Sequence, residues 1–149
     1  MNIKKSEPKY HQILSNIAKE SKAFWDYPGE WLELWEEDLT VSEEYIQKNN
    51  VFHSENDGEI SGFYSYYPED ENVRLEHLFI HPKYIGKNVG KLLINDFFER
   101  INNENFQKII LDADPNAVVF YEKFGFENVD RKLTKIEGRF LPVMIKNLE

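Results

Sequence analysis

Apolar positions in the first third of the chain recur at helical spacing. Ile13, Leu14, Ile17, Ala18, Phe24 and Trp25 predict one helix, which Pro28-Gly29 interrupts. Trp31, Leu32, Leu34 and Trp35 predict a second helical segment, and Ser42 ahead of Glu43 and Glu44 suits the start of a third. At Val51 the texture changes to strand. Val51-Phe52-His53 leads into Asp57-Gly58, a tight-hairpin signal. Ile60 to Tyr67 predicts a second strand, Pro68 to Asn72 a turn, and Val73 to Ile80 a third strand, giving an antiparallel meander. The period then switches again. Val89, Leu92, Leu93, Phe97 and Ile101 predict one face of an amphipathic helix. Lys108 to Asp112 reads as a strand covered on both faces, so strand, helix and strand form a βαβ unit. Ala117 to Phe124 predicts a helix stopped by Gly125. Two last strands, near Phe126 to Thr134 and Phe140 to Leu148, flank Gly138. The order predicts an α+β chain, a mixed sheet with helices on both sides, in a single domain over residues 1–149.

Composition narrows the class. A chain of 149 residues with 41% apolar side chains can bury one real core, and an aromatic share of 15% argues against disorder. The lack of cysteine excludes disulfides, thiolate metal sites and a cysteine nucleophile. His11, His53, His77 and His81 show no metal-ligand spacing, so no metal is expected. The first residues contain no continuous apolar signal segment, and no stretch approaches a bilayer span, so the expectation is a cytoplasmic protein without a membrane partner. A net charge of −9 speaks against a broad nucleic-acid-binding face.

Charge is unevenly spread. Glu20 to Asn50 holds nine acidic residues and two lysines, whereas His81 to Lys91 holds Lys83, Lys87 and Lys91 and no acid. A basic island in an acidic protein suits a bound anion, and the acidic stretch suits a cationic ligand. The island also has the right backbone. It follows a strand, turns at Pro82, and passes Gly86, Asn88 and Gly90 into the first turn of a helix. Helix-initial N–H groups lack internal partners and carry the positive end of the dipole. Glycine lets an anion approach closely, and Asn88 either adopts left-handed angles or caps the helix. A phosphate or pyrophosphate site is predicted. The spacing matches neither a P-loop nor a G-x-G-x-x-G dinucleotide turn.

The segment Ile80-His81-Pro82-Lys83-Tyr84-Ile85-Gly86-Lys87-Asn88-Val89-Gly90 resembles the V-x-P-x-Y-R-G-x-G-x-G signature of the GNAT superfamily of acyl-CoA-dependent N-acyltransferases. Downstream, Ala117-Val118-Val119-Phe120-Tyr121-Glu122-Lys123-Phe124-Gly125-Phe126 is similar to the family's A-x-x-x-Y-x-K-x-G-F element. The motifs cover Leu78 to Phe126, and the element order matches the family over nearly the whole chain. Ile85 stands where the family usually has Arg or Gln, and Asn88 replaces a loop glycine. Asp114 stands where the family often has Asn, with Asn116 nearby. An Asp114 cap followed by Pro115 explains that turn structurally.

The resemblance implies a twisted mixed sheet of about six or seven strands and acetyl-CoA as acyl donor. It implies a pantetheine arm paired with the backbone of Leu78, Phe79 and Ile80. It implies a diphosphate on the backbone of Ile85, Gly86, Lys87, Asn88, Val89, Gly90 and Lys91, and cofactor contacts by Asn116, Phe120 and Lys123. Tyr121 is the implied general acid for the leaving thiolate, its phenol being protonated at neutral pH. Glu76 and His77 are candidate bases; alternation puts them on opposite faces of their strand, and Glu76 is favoured for a water-relayed transfer. The acceptor is expected to be a primary amine of a small molecule or peptide, and a cationic one would suit the aromatics and carboxylates of the first helices. The resemblance also points to a homodimer through sheet edges; the alternative functions are a non-catalytic acyl-CoA sensor and a purely structural dimerisation module.

Overall fold

The computed structural model describes residues 2–148. The chain forms two compact units, one comprising the residues up to Tyr66 with His77–Asn102, the other Tyr67–Glu76 with the residues from Asn103 onward. In chain order the elements are β1 (Asn2–Lys5), α1 (His11–Ala23), α2 (Gly29–Leu34), α3 (Glu43–Lys48), β2 (Asn50–Asn56), β3 (Glu59–Glu69), β4 (Asn72–Ile80), α4 (Val89–Ile101), β5 (Lys108–Asp112), α5 (Val118–Lys123), β6 (Glu127–Leu133) and β7 (Phe140–Asn147). The strands bond in the order β1-β2-β3-β4-β5-β7-β6. β4 and β5 are parallel, and the pairs β1–β2, β2–β3, β5–β7 and β6–β7 are antiparallel. The expected mixed sheet is therefore present, with one strand more than the element order predicted.

That strand is β1. Its only apolar residue is Ile3, so no hydrophobic period announces it. It exists because β2 offers a pairing edge, from Asn2↔Glu55 to Lys5↔Phe52. The following residue locks it, since Ser6 Oγ lies 2.7 Å from His53 Nδ1 and the Ser6 N–H donates to Val51 O.

In the first unit, Leu14, Ile17 and Ala18 of α1 join Leu39, Val41, Ile46, Val51 and Phe63 in one buried core. The Ser42 side chain accepts from the Tyr45 N–H and starts α3 as expected. Asp57 and Gly58 both have positive φ, as a two-residue hairpin turn requires. The opposite sheet face receives α4. Phe97 meets the rings of Tyr64 and Tyr66 at 5.7 and 5.2 Å. The buried stripe of α4 is Val89, Leu93, Ile94, Phe97 and Ile101. Leu92, predicted within it, is 42% exposed, and Ile94 takes its place because the stripe leans to the other side of the 89–93–97–101 line.

In the second unit, β7 inserts between β5 and β6. Ile109 and Leu111 of β5 are buried while Ile110 is half-buried, so this strand is fully covered on one face only, contrary to the expectation of two. Every residue of β6 is exposed, as befits the last strand of the order.

Gly62 fixes the seat of α4. A Cβ there would lie 2.8 Å from the Phe79 carbonyl oxygen, 3.0 Å from Leu93 Cδ1 and 3.3 Å from Val89 Cγ1. Backbone cannot yield as a flexible side chain can, so Gly62→Ala is expected to destabilise the protein by about 1–3 kcal/mol. The check is the urea midpoint, and an unchanged midpoint contradicts the packing argument.

Candidate active site

β4 leaves the sheet at Ile80 and turns at once. The His81 N–H donates to Ser61 O, and the His81 side chain holds the turn. Its Nδ1 accepts from the Lys83 N–H, which leaves Nε2 to donate to Glu20 of α1, 3.0 Å away. Pro82 opens a 3-10 turn ending at Tyr84. Tyr84 is buried, and its hydroxyl donates to Glu59 Oε2 at 2.6 Å, where Lys83 Nζ also donates at 2.8 Å. These two bonds hold the Glu59 carboxyl below its ordinary pKa, and the same carboxylate pushes the Tyr84 phenol up. Lys83 is thus neutralised within the first unit. Lys87 and Lys91 have no ion-pair partner among the described residues.

The loop backbone decides between the two expectations for Asn88. It sits at φ 65°, left-handed, and its side chain makes no capping bond. Gly86 is left-handed too, at φ 82°, with nothing within 4 Å of where a Cβ would stand. Among the described residues no acceptor meets the N–H groups of Gly86, Asn88, Val89, Gly90 and Lys91. A run of backbone donors in turn and left-handed geometry, at a helix N-terminus, is an anion-binding surface. Ile85 is 40% exposed and adds no polar group.

Along β4, Val73, Leu75 and His77 are buried, whereas Glu76 is exposed, so the alternation is as predicted. Leu78, Phe79 and Ile80 are half-buried. The ladder between β4 and β5 consists of Val73↔Ile109 and Arg74↔Ile110. Beyond it, the backbone groups on that edge of β4 have no ladder partner among the described residues. His77 is enclosed by the rings of Tyr45, Phe63 and Phe79 at 5.3, 5.7 and 6.0 Å. Its Nδ1 lies 2.7 Å from Ser65 Oγ, which lies 2.9 Å from the Tyr45 hydroxyl. Burial pulls the imidazole pKa down to about 4, so the ring is neutral at pH 7.

Glu76 belongs to the second unit. The protein crowding its carboxyl raises its pKa; Arg74 opposes this, Asp112 adds to it, and Lys132 and a hydrogen bond with Tyr67 oppose it. Arg74 itself pairs with Glu69 at 3.0 Å and Asp112 at 3.4 Å, and Lys132 with Asp112 at 3.2 Å. Asp114 accepts from the Asn116 N–H at 2.8 Å with Pro115 at the first helical position, the cap expected from sequence. Tyr121 is buried against the rings of Phe120 and Phe126, and burial together with the Asp114 charge raises its pKa, which keeps the phenol protonated. Phe120 is half-buried, and Asn116 and Lys123 are exposed. An open groove on β6 and β7, lined by Asn128, Asp130, Arg131, Phe140 and Pro142, contains none of these residues. Sequence reading did not single out Ser65 and Tyr45, which hydrogen-bond in a row with His77. The available signal was Ser61 and Ser65 flanking Phe63 on a face that is otherwise core.

Two outcomes test this description. Asn88→Val should lose about 1–2 kcal/mol by denaturation, since a β-branched residue pays the left-handed penalty, whereas Asn88→Gly should keep wild-type stability. A raised folded-state pKa means that the native state favours protonated Glu76, so the ionised form weakens the fold above that pKa. Glu76→Gln should therefore melt higher than the wild type at pH 7, and the gap should close as pH falls through the carboxylate range. An equal melting temperature at pH 7 removes the electrostatic account.

Comparison with known proteins identifies the family and the fold. The model of the acetyltransferase (GNAT) domain family matches residues 23–147. The glucosamine 6-phosphate N-acetyltransferase of Trypanosoma brucei brucei is 36% identical over 59 residues, a stretch that covers 40% of each protein, so the likeness spans well under half of that relative. Among solved structures, the PaiA N-acetyltransferase of Thermoplasma acidophilum in complex with coenzyme A superposes with a TM-score of 0.81 at 22% identity, covering 99% of this chain and 98% of that one. A GCN5-related N-acetyltransferase of Rhodopseudomonas palustris gives 0.83 at 22% identity, covering 99% and 95%. These structures share the fold, and the family match extends over most of the sequence: the chain belongs to the GNAT acetyltransferase family.

Proposed function

We propose that this chain works in the cytoplasm, transferring an acetyl group directly from acetyl-CoA to a primary amine of a small molecule or peptide. The observation that supports this most is the set of N–H groups of Gly86, Asn88, Val89, Gly90 and Lys91, which meet no acceptor among the described residues, backed by Lys87 and Lys91, which have no ion-pair partner there. Those groups suit a diphosphate without help from the Arg or Gln that Ile85 replaces. The free edge of β4 suits an amide-bearing arm paired to the backbone of Leu78, Phe79 and Ile80. Acetyl-CoA, when bound, supplies an activated thioester. Tyr121 holds the proton that the departing sulfur needs, and its raised pKa keeps that proton in place until then. Asn116, Phe120 and Lys123 are assigned to flanking contacts with the same ligand. The amine proton leaves through a base on β4.

The acceptor is best read as cationic. Exposed Phe24 and Trp25 follow α1 within the segment that carries nine acids, a surface that attracts an ammonium and repels an anion. An acceptor bearing a phosphate, such as the name of the trypanosome relative indicates for that protein, is therefore disfavoured.

Release of free thiol from acetyl-CoA over a panel of cationic, neutral and phosphorylated amines tests the reading, with the cationic amines expected to turn over fastest. Binding of CoA without thiol release on any amine would favour a sensor, and no calorimetric signal with CoA would defeat the reading altogether. Tyr121→Phe should lower kcat about a hundredfold while leaving the Kd for CoA unchanged; equal turnover removes Tyr121 from the chemistry.

A further inference from the structure

α5 is too short to hold itself. Its six residues, Val118–Lys123, make fewer than two turns, and a segment of that length is not helical on its own. Yet it carries Tyr121, whose hydroxyl has no hydrogen-bond partner among the described residues. The direction of that hydroxyl is therefore set by the neighbouring rings of Phe120 and Phe126 and by whatever fixes the helix.

Asp114 and Pro115 fix the approach to its first turn. At its other end the anchor comes from a different element. Lys146 of β7 is half-buried, and its Nζ donates to the Phe124 carbonyl oxygen at 2.7 Å. The Phe124 N–H donates in turn to the Tyr121 carbonyl oxygen at 3.0 Å, and the Phe126 N–H donates to the same oxygen at 3.2 Å. Lys146 is itself rooted in the sheet, opposite Ile109 of β5. A continuous path thus runs from the β5–β7 ladder, through one ammonium and one peptide unit, to the peptide of Tyr121. A cation at this end also meets the negative pole of the helix and a carbonyl that lacks an intrahelical donor.

Gly125 shows how closely the ammonium is seated. Its φ is 90°, and a Cβ there would stand 2.5 Å from Lys146 Nζ. Any side chain at 125 would therefore drive the ammonium off the Phe124 carbonyl. The glycine that stops α5 is also what admits the lysine.

We propose that Lys146 is a positioning residue for acyl transfer, holding the carboxyl end of α5 so that the Tyr121 hydroxyl is aimed at the departing sulfur. The inference rests on the acyl-transfer reading, and within it on Tyr121 as the acid. Lys146 touches neither substrate nor donor in this role. It acts through the Phe124 carbonyl, and its effect belongs to the chemical step because a general acid works only when its proton lies within hydrogen-bond reach of the leaving atom.

Kinetics and spectra of the full chain test this. Lys146→Met keeps the aliphatic stem and removes the donor. It should lower kcat about tenfold while the Kd for CoA and the KM for acetyl-CoA stay at wild-type values. The same change made in Tyr121→Phe should cost no further rate, because a residue that acts only through the phenol then has nothing to act on. Wild-type kcat in Lys146→Met, or a loss repeated in full in the Tyr121→Phe background, overturns the positioning role while acyl transfer stands. Absence of turnover by wild type on every amine overturns acyl transfer and this role with it. The carbon-13 signal of the Tyr121 ring Cζ, assigned by its loss in Tyr121→Phe, reads the coupling without turnover. It should shift or broaden in Lys146→Met, and an unmoved signal overturns the proposal whether or not an acceptor has been found. Lys146→Gln, too short to reach the Phe124 carbonyl, carries the same expectations and replaces Lys146→Met where that variant does not fold.

Discussion

The constraint on which the first unit turns is the approach of α4 to β3 at Gly62. With no Cβ at that position, Val89 and Leu93 settle against the sheet beside the Phe79 carbonyl. Position and direction of a helix are fixed by its first buried turn, so this contact also aims the N–H groups that precede it. The binding surface is therefore a by-product of core packing: the donors point outward because the apolar stripe from Val89 to Ile101 points inward. Left-handed Gly86 and Asn88 complete it by bending the chain without a side-chain cap that would consume a donor.

Charge is sorted on top of that scaffold. Glu59 gathers Lys83 and Tyr84 at the turn, while Lys87 and Lys91 have no carboxylate partner among the described residues. In the second unit Arg74 and Lys132 are occupied by Glu69 and Asp112, and the Glu76 carboxyl is left in unfavourable surroundings. Pairs that solvent still reaches add little to stability individually. Their effect is to decide which charges remain available to a ligand.

The sequence made most of this legible wherever one physical signal dominated. Helical spacing located α1 and α4, Asp57-Gly58 located the hairpin, and the Gly86 to Gly90 stretch located the donors. The misses share a cause, which is that the partner and not the segment carries the information. β1 has one apolar residue and exists through β2. The place of β7 between β5 and β6 is a property of the sheet that no local window contains. Leu92 and Ile94 exchanged places because a stripe has a centre as well as a period. For Asn88, capping and left-handed geometry were equally open, and only the backbone angle separates them. Glu76 and His77 were correctly placed on opposite faces, but the Ser65–Tyr45 row that distinguishes His77 is a contact across strands and a helix.

β6 has a consequence of a different kind. It closes the strand order, exposes every residue, carries Glu127, Asp130, Arg131 and Lys132, and shifts register between Asn128 and Asp130. β1, at the other end, presents Lys4 and Lys5. Ionic side chains and an irregular ladder are what discourage foreign strands from extending a sheet. A crowded solution therefore finds neither terminal strand an inviting template.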